Sequence, residues 1–291
     1  MTENEMRHYG GQALIEGVLM RGKNHVVAAV REPNGNIHVE DEELQGIYKS
    51  RISEIPFFRG LTVLWDSLAL GMKYLTLSAN LQTEGEEEKI EGASLYLTVF
   101  FSIGLAIGIF FVIPSLLVEL IKRFSDFSFI VNNLIEGIIR LLMLVFYIWG
   151  IGRSKEIARV FAYHGAEHKT INTFEQGNEI TLENIREFPL AHPRCGTSFL
   201  LTLVVISILV FSLLGELNLL ERIISRILFV PVLAMFSYEI IRWMGDHLEN
   251  PLVRILTKPN LLLQRLTTRE PTDDMLEVSI TSFKRLLKLE G

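Results

Sequence analysis

Residues 94–121 read SLYLTVFFSIGLAIGIFFVIPSLLVELI, a run with no charged side chain before Glu119. A helix needs about 20 apolar residues to cross a hydrocarbon core of about 30 Å. The run is longer than this, and Pro114 within it is a candidate for a kink. This segment predicts a membrane-spanning helix and decides the fold class.

Three further apolar segments predict three more spans, at 129–152, 197–219 and 223–244. Short links join the four spans into two hairpins. The composition agrees, because 49% of the residues are hydrophobic, 21% are charged and the mean hydropathy is +0.30. We therefore expect a mainly α, polytopic membrane protein with four transmembrane helices in two hairpins.

The distribution of basic residues predicts the orientation of these spans. Lys and Arg together number 9 in residues 1–93, 6 in 153–196 and 7 in 245–291. Segments rich in Lys and Arg stay on the cytoplasmic side of a membrane. Both termini and the 153–196 loop are therefore expected in the cytoplasm. The net charge of −6 argues against a nucleic-acid partner.

The N-terminal region predicts a small β meander. HVVAAVRE and NIHVEDEE flank Pro33-Asn34-Gly35, and Asn-Gly between alternating runs is typical of a hairpin. The glycine-rich segment at 10–22 is a candidate third strand. The following segment at 56–81 is apolar but interrupted by charges, which favours an interfacial or re-entrant helix over a fifth span.

The chain divides into six regions according to hydropathy. The C-terminal region also predicts an amphipathic helix over 272–289, with Thr272 as its N-cap. The regions are a β-rich cytoplasmic region at 1–55, the interfacial helix and an acidic linker at 56–93, the first transmembrane hairpin at 94–152, a cytoplasmic loop at 153–196, the second transmembrane hairpin at 197–244 and a cytoplasmic C-terminal segment at 245–291.

Candidate chemistry is concentrated in the 153–196 loop. His164, Glu167 and His168 follow the spacing His-x-x-Glu-His, and residues four apart share one face of a helix. Two imidazoles on one face can bind a divalent metal, with zinc the leading candidate. Glu167 beside them would be the general base that takes a proton from water.

A third metal ligand is expected near the membrane surface, because catalytic zinc sites use three protein ligands and an open position. His192 and Cys195 lie just before the third predicted span. We favour His192 as the third ligand and keep Cys195 as a fourth ligand or nucleophile. His247 and Asp246, which directly follow the fourth predicted span, remain alternatives.

Charges inside the predicted spans are expected to pair, because a charge in hydrocarbon is costly. Glu136 and Arg140 are four residues apart, and Glu239 and Arg242 are three apart, so each can form a pair within one helix. Arg226 and Arg242 are expected to reach the interface with their long side chains. For Glu136 and Arg140 the sequence leaves two alternatives open, a position near the interface and a polar cavity within the bundle.

Four motifs resemble those of the YqhQ-like family of bacterial membrane proteins, and the likeness covers nearly the whole chain. That family is described as a domain of unknown function and a predicted metal-dependent enzyme. The resemblance implies a multi-pass protein of the bacterial inner membrane with a metal site at His164, Glu167 and His168, but it implies no substrate. The motifs are GGQALIEGVLMRG at 10–22, YHGAEHKTINTFE at 163–175, HPRCGTSF at 192–199 and TTREPTDDMLEV at 267–278.

Two functions from different classes follow. The first is a metal-dependent hydrolase at the cytoplasmic face of the membrane, acting on a lipid-linked or membrane-protein substrate. The second is a non-catalytic membrane scaffold that assists the biogenesis or assembly of membrane proteins. The expected partners are membrane lipids and either another membrane protein or a second copy of the chain.

Overall fold

The computed structural model describes residues 9–46, 55–83, 92–125 and 127–291. Within these ranges the chain is mainly helical, with one small antiparallel sheet near its N-terminus. The predicted combination of a β meander with helices is therefore confirmed. The acidic linker at 84–91 lies outside the described residues.

The sheet is a meander of four strands in the order in which they occur in the chain, and the predicted hairpin at Pro33-Asn34-Gly35 joins the last two. Gly35 has φ = 90°, a conformation that favours glycine. The single strand expected at 10–22 is in fact two strands that reverse after Leu14. The strands are β1 (Gly10–Leu14), β2 (Gly17–Arg21), β3 (His25–Arg31) and β4 (Ile37–Glu43).

The helices follow the sheet. The last helix agrees with the amphipathic helix expected at 272–289 and has Thr272 at its N-cap position. The helix before it, Pro251–Thr267, was not predicted. In chain order they are α1 (Phe58–Leu81), α2 (Gly92–Ile107), a π-helical turn (Gly108–Val112), α3 (Ile113–Lys122), α4 (Phe129–Ile151), α5 (Lys155–Glu175), α6 (Leu182–Arg186), α7 (Gly196–Ser212), α8 (Leu219–Leu228), α9 (Val230–Asp246), α10 (Pro251–Thr267) and α11 (Asp273–Glu290).

Helices cover both faces of the sheet. On one face, Val18 and Met20 pack with side chains of α5 and α11, including Tyr163 and Phe283. On the other face, residues of β2 and β3 pack with α1 in a second buried cluster that includes Tyr74. This arrangement holds α5 and α1 on opposite sides of β1, which matters for the site described below.

Among the described residues, two helical stretches are long and apolar enough to cross a membrane, Leu95–Lys122 and Phe129–Ile151. The prediction of four such spans is wrong. The third expected span is α7, an apolar helix of 17 residues. The fourth is interrupted at Phe229, which ends α8 and precedes α9, with Pro231 in the first turn of α9. The hydropathy summed over residues 223–244 does not detect this break between two helices.

The buried charges pair between helices as well as within them. Glu136 Oε1 accepts a hydrogen bond from Arg140 Nη2 at 2.7 Å, which confirms the expected pair within α4. The same carboxylate also binds Arg226 Nε at 2.9 Å. Arg226 is buried, so the prediction that its side chain reaches the interface is wrong. Glu239 pairs with Arg59 of α1, whereas the sequence suggested a local pair with Arg242.

Candidate metal site

Helix α5 carries the His-x-x-Glu-His motif. It begins after Ser154, whose hydroxyl accepts a hydrogen bond from Ile157 N, and continues without a break to Glu175. The rings of His164 and His168 lie on one face with centroids 4.4 Å apart. The structure therefore brings together the two imidazoles that the spacing predicted to be neighbours.

Both imidazoles are oriented by backbone carbonyl groups. His164 Nδ1 lies 2.9 Å from the carbonyl oxygen of Thr267, and His168 Nδ1 lies 2.5 Å from that of Leu190. A carbonyl oxygen only accepts hydrogen bonds, so each Nδ1 carries the proton in a neutral ring and each Nε2 carries a lone pair that can bind a metal. Metal-binding histidines are commonly fixed in this way by their second ring nitrogen.

Cys195 supplies a third donor atom to the same place. Its Sγ lies 3.3 Å from His164 Nε2, and the donor atoms of His164, His168 and Cys195 all lie within 4.8 Å of one another. Bond lengths of about 2.1 Å to nitrogen and 2.3 Å to sulfur place two ligands of tetrahedral zinc about 3.5 Å apart. Cys195 is also the N-cap of α7, where its Sγ accepts a hydrogen bond from Thr197 N.

The other proposed ligands lie outside the His–His–Cys group, although His192 lines the same cavity with its ring centroid 5.6 Å from that of His168. His192 Nε2 is 3.4 Å from Glu175, which also forms an ion pair with Arg194. Burial lowers the pKa of His192, although the contact with Glu175 opposes this. His247 is exposed, with its Nδ1 2.9 Å from the carbonyl oxygen of Trp243. Asp246 lines the neighbouring cavity but is not part of the His–His–Cys group. The geometry favours Cys195 over His192 as the third ligand.

Glu167 is buried beside the three donor atoms. Its Oε2 lies 3.7 Å from His164 Nε2 and 3.9 Å from His168 Nε2, and within the described ranges its carboxylate forms no hydrogen bond. Burial raises the pKa of Glu167 to about 7, with His164 opposing the shift. A Cβ on Gly11 would lie 2.7 Å from Glu167 Cγ, so glycine is what allows β1 to approach this closely.

Sequence reasoning missed the residue that fixes the His192–Cys195 segment. Gln264 of α10 is buried, and its Oε1 accepts a hydrogen bond from His192 N at 3.0 Å. Its Nε2 donates to the carbonyl oxygen of His192 at 2.8 Å and to Ser198 Oγ at 2.9 Å. No local pattern marks Gln264, because its partners are about 70 residues away in the chain.

The segment after α10 braces α5 from the other side. Arg269 N donates to the carbonyl oxygen of Phe161 at 2.9 Å, and Lys169 Nζ binds Glu270 Oε1 at 2.5 Å. A Cβ on Gly165 would overlap the backbone oxygen of Arg269. The glycine between the two histidines therefore permits the close packing that brings the Thr267 carbonyl to His164.

A cavity of about 570 Å³ opens beside these residues. It is lined by residues of β1, β2, α1, α5, α7 and α9 and of the segment before α7. The lining includes His164, Glu167, His168 and Cys195 together with apolar side chains of α1, α7 and α9. The residues of the His–His–Cys group therefore border a cavity large enough for a small molecule or a chain segment.

Comparison with known proteins identifies the family. A family described as "Protein of unknown function (DUF1385)" matches residues 55–289. The chain belongs to this family. It is also 36% identical over 297 residues to "Uncharacterized protein YqhQ" of Bacillus subtilis (strain 168), covering 97% of this chain and 93% of the relative. No solved structure matches the chain.

Proposed function

We propose that this protein is a metal-dependent hydrolase of the zinc type, anchored in the bacterial inner membrane with its site at the cytoplasmic face. One observation carries the proposal. The donor atoms of His164, His168 and Cys195 lie within 4.8 Å of one another, beside the buried carboxylate of Glu167. These residues line a cavity that could hold a substrate.

The donor set fits zinc. Two imidazole nitrogens and one thiolate suit zinc better than magnesium or calcium, which prefer oxygen. Three protein ligands leave a fourth tetrahedral position for water or substrate. A bound zinc ion would supply Lewis acidity and lower the pKa of water in that position to about 7. The Thr267 and Leu190 carbonyls hold both imidazoles in the tautomer that binds metal.

Glu167 is suited to proton transfer. Its carboxylate lies beside the donor atoms, and burial raises its pKa to about 7. A cation nearby favours the ionised form of a carboxylate, so a bound metal would keep Glu167 ionised and able to accept a proton.

The membrane location is supported by apolar side chains that are exposed in the described part of the chain. The side chains of Phe100 and Leu213 are 79% and 85% exposed, and many apolar side chains of α2, α4 and α7 are exposed as well. Lipid or a partner would cover apolar surface of this extent. Helix α1 also exposes Trp65 and Leu68, which suits the interfacial position expected for residues 56–81.

Metal analysis of detergent-purified protein tests the proposal. We expect about one zinc ion per chain in the wild type, and loss of that zinc in His164→Ala, His168→Ala and Cys195→Ala. His247→Ala is the matched control, because His247 is exposed and outside the donor group; it should keep its zinc. Wild-type protein that remains metal-free after zinc is added back would contradict the proposal.

The alternative function, a non-catalytic membrane scaffold, has one observation in its favour. Glu167 Oε2 lies within 3.9 Å of both imidazole Nε2 atoms, so this carboxylate is close enough to serve as a fourth ligand. A site closed by four protein ligands would be structural. Glu167→Gln separates the two functions: a general base can be replaced without loss of zinc, whereas replacement of a fourth ligand weakens zinc binding.

A further inference from the structure

The cavity runs along the free edge of the sheet. Strand β1 is the outermost strand next to β2, and no other strand in the described part of the chain pairs with its outer side. The consecutive residues 9–12 all line the cavity. Gly11 faces α5 and Gln12 faces Gly71 of α1, on opposite faces of the sheet. A cavity that contacts both must lie along the edge itself.

We propose that the substrate is an extended polypeptide segment that adds to β1 as a further strand. This inference rests on the proposed function and specifies its substrate class. The edge of a sheet presents unpaired N–H and C=O groups at a spacing that matches another extended backbone. Gly10 lines the cavity and a Cβ there would meet no atom within 4 Å, so a larger side chain at this position would occupy part of the cavity beside the edge.

The position of β1 brings such a segment to the site. A paired strand lies about 4.8 Å from its neighbour. Gly11 is in contact with Glu167, and the donor atoms of His164 and His168 lie within 3.9 Å of that carboxylate. A segment added to β1 therefore passes the residues proposed to cleave it.

The charges of the cavity favour a polypeptide over an anionic lipid headgroup. Three basic and three acidic side chains line it, so they balance: Arg21, Arg194 and Arg242 against Asp66, Glu167 and Asp246. Arg21 is paired with Asp66, and Arg194 with Glu175. The lining also includes the apolar side chains of Leu64, Phe199 and Ile241, which suit the side chains of a membrane-protein segment.

The reaction would be peptide-bond hydrolysis. The oxygen of a water molecule bonds to the carbonyl carbon, and the bond from that carbon to nitrogen breaks. Glu167 takes a proton from the water and delivers it to the leaving nitrogen. The products are a carboxylic acid and an amine, and the acid passes its proton to the amine to give a carboxylate and an ammonium group. Water is the only co-reactant.

Amide hydrogen exchange on the full chain in detergent tests strand addition. The probe is a capped five-residue peptide of leucine and alanine, compared with the same peptide methylated at alternate backbone nitrogens and with dodecyl phosphate. We expect the unmethylated peptide to slow exchange in residues 10–14 at least tenfold, and the methylated peptide and dodecyl phosphate to leave it unchanged. Gly10→Leu should abolish the protection, while Gly104→Leu, a glycine with equally open surroundings in α2, should retain it.

Absence of protection by the peptide, equal protection by its methylated form, or protection by dodecyl phosphate would overturn the inference. The exchange readout does not depend on metal, so zinc content is measured on the same preparation. Bound zinc without peptide protection would contradict the substrate class alone. Peptide protection without zinc would contradict the proposed function and leave strand addition supported.

Discussion

Replacing Gly165 with alanine should damage the site without touching a ligand. Gly165 lies on α5 between His164 and His168, where a Cβ would overlap the backbone oxygen of Arg269 and lie 2.8 Å from Leu190 Cδ2. These two contacts belong to the segments whose carbonyl groups orient His164 and His168. One added methyl group therefore pushes against both supports of the two imidazoles.

The magnitude follows from two opposing effects. Alanine is favoured over glycine within a helix by about 1 kcal/mol. Overpacking costs about 1–3 kcal/mol, and weakening the hydrogen bond of His164 to Thr267 costs about 1 kcal/mol more. The upper part of the overpacking range applies because a backbone atom cannot move aside as a side chain can. We expect a net destabilisation of about 2–3 kcal/mol and a loss of about 10–100-fold in zinc affinity.

Chelator competition for zinc affinity and denaturant unfolding in detergent provide the two measurements. Gly150→Ala is the matched control, since Gly150 is also helical and a Cβ there would meet no atom within 4 Å. It should retain wild-type zinc affinity and gain up to about 1 kcal/mol of stability. A Gly165→Ala protein with wild-type stability and zinc affinity would refute the reasoning.

Three further predictions concern the surrounding structure. Glu136→Gln should lower the free energy of unfolding by about 3–5 kcal/mol, because Arg140 and Arg226 lose a buried counter-charge; an unchanged denaturation midpoint would contradict the pairing. Gln264→Ala should cost about 2–4 kcal/mol and weaken zinc binding by freeing the segment before α7, and a chelator titration identical to the wild type would argue against that support. Gly35→Val should cost about 1–2 kcal/mol in thermal unfolding, since valine disfavours φ = 90°, and a stabilised variant would contradict the turn assignment.

Local patterns predicted the features that depend on neighbours in the sequence. Asn34-Gly35 located the turn between β3 and β4, and the spacing of His164 and His168 placed both rings on one helix face. The long apolar run at 94–121 corresponds to a helical stretch that is long enough to span a membrane. In each case the prediction rests on a residue pattern within one short stretch of the sequence.

Features that depend on distant contacts could not be predicted in this way. The sequence offers both His192 and Cys195 as candidate metal ligands. The contact of His192 with Glu175 and that of Cys195 with His164 distinguish them, and neither contact can be read from the sequence. Arg226 is buried because Glu136 on another helix neutralises it, which hydropathy does not register. Strand β1 lies at the edge because of the order of all four strands in the sheet, so no local sequence pattern indicates the cavity beside it.

X-ray absorption spectroscopy at the zinc edge tests the central claim most directly, because it reports the atoms bound to the metal. For the zinc-loaded protein we expect one sulfur at about 2.3 Å and two imidazole nitrogens at about 2.0–2.1 Å. The sulfur contribution should disappear in Cys195→Ser and persist in His192→Ala. A coordination shell without sulfur, or one that loses an imidazole in His192→Ala, would contradict the assignment of His164, His168 and Cys195 as the metal ligands.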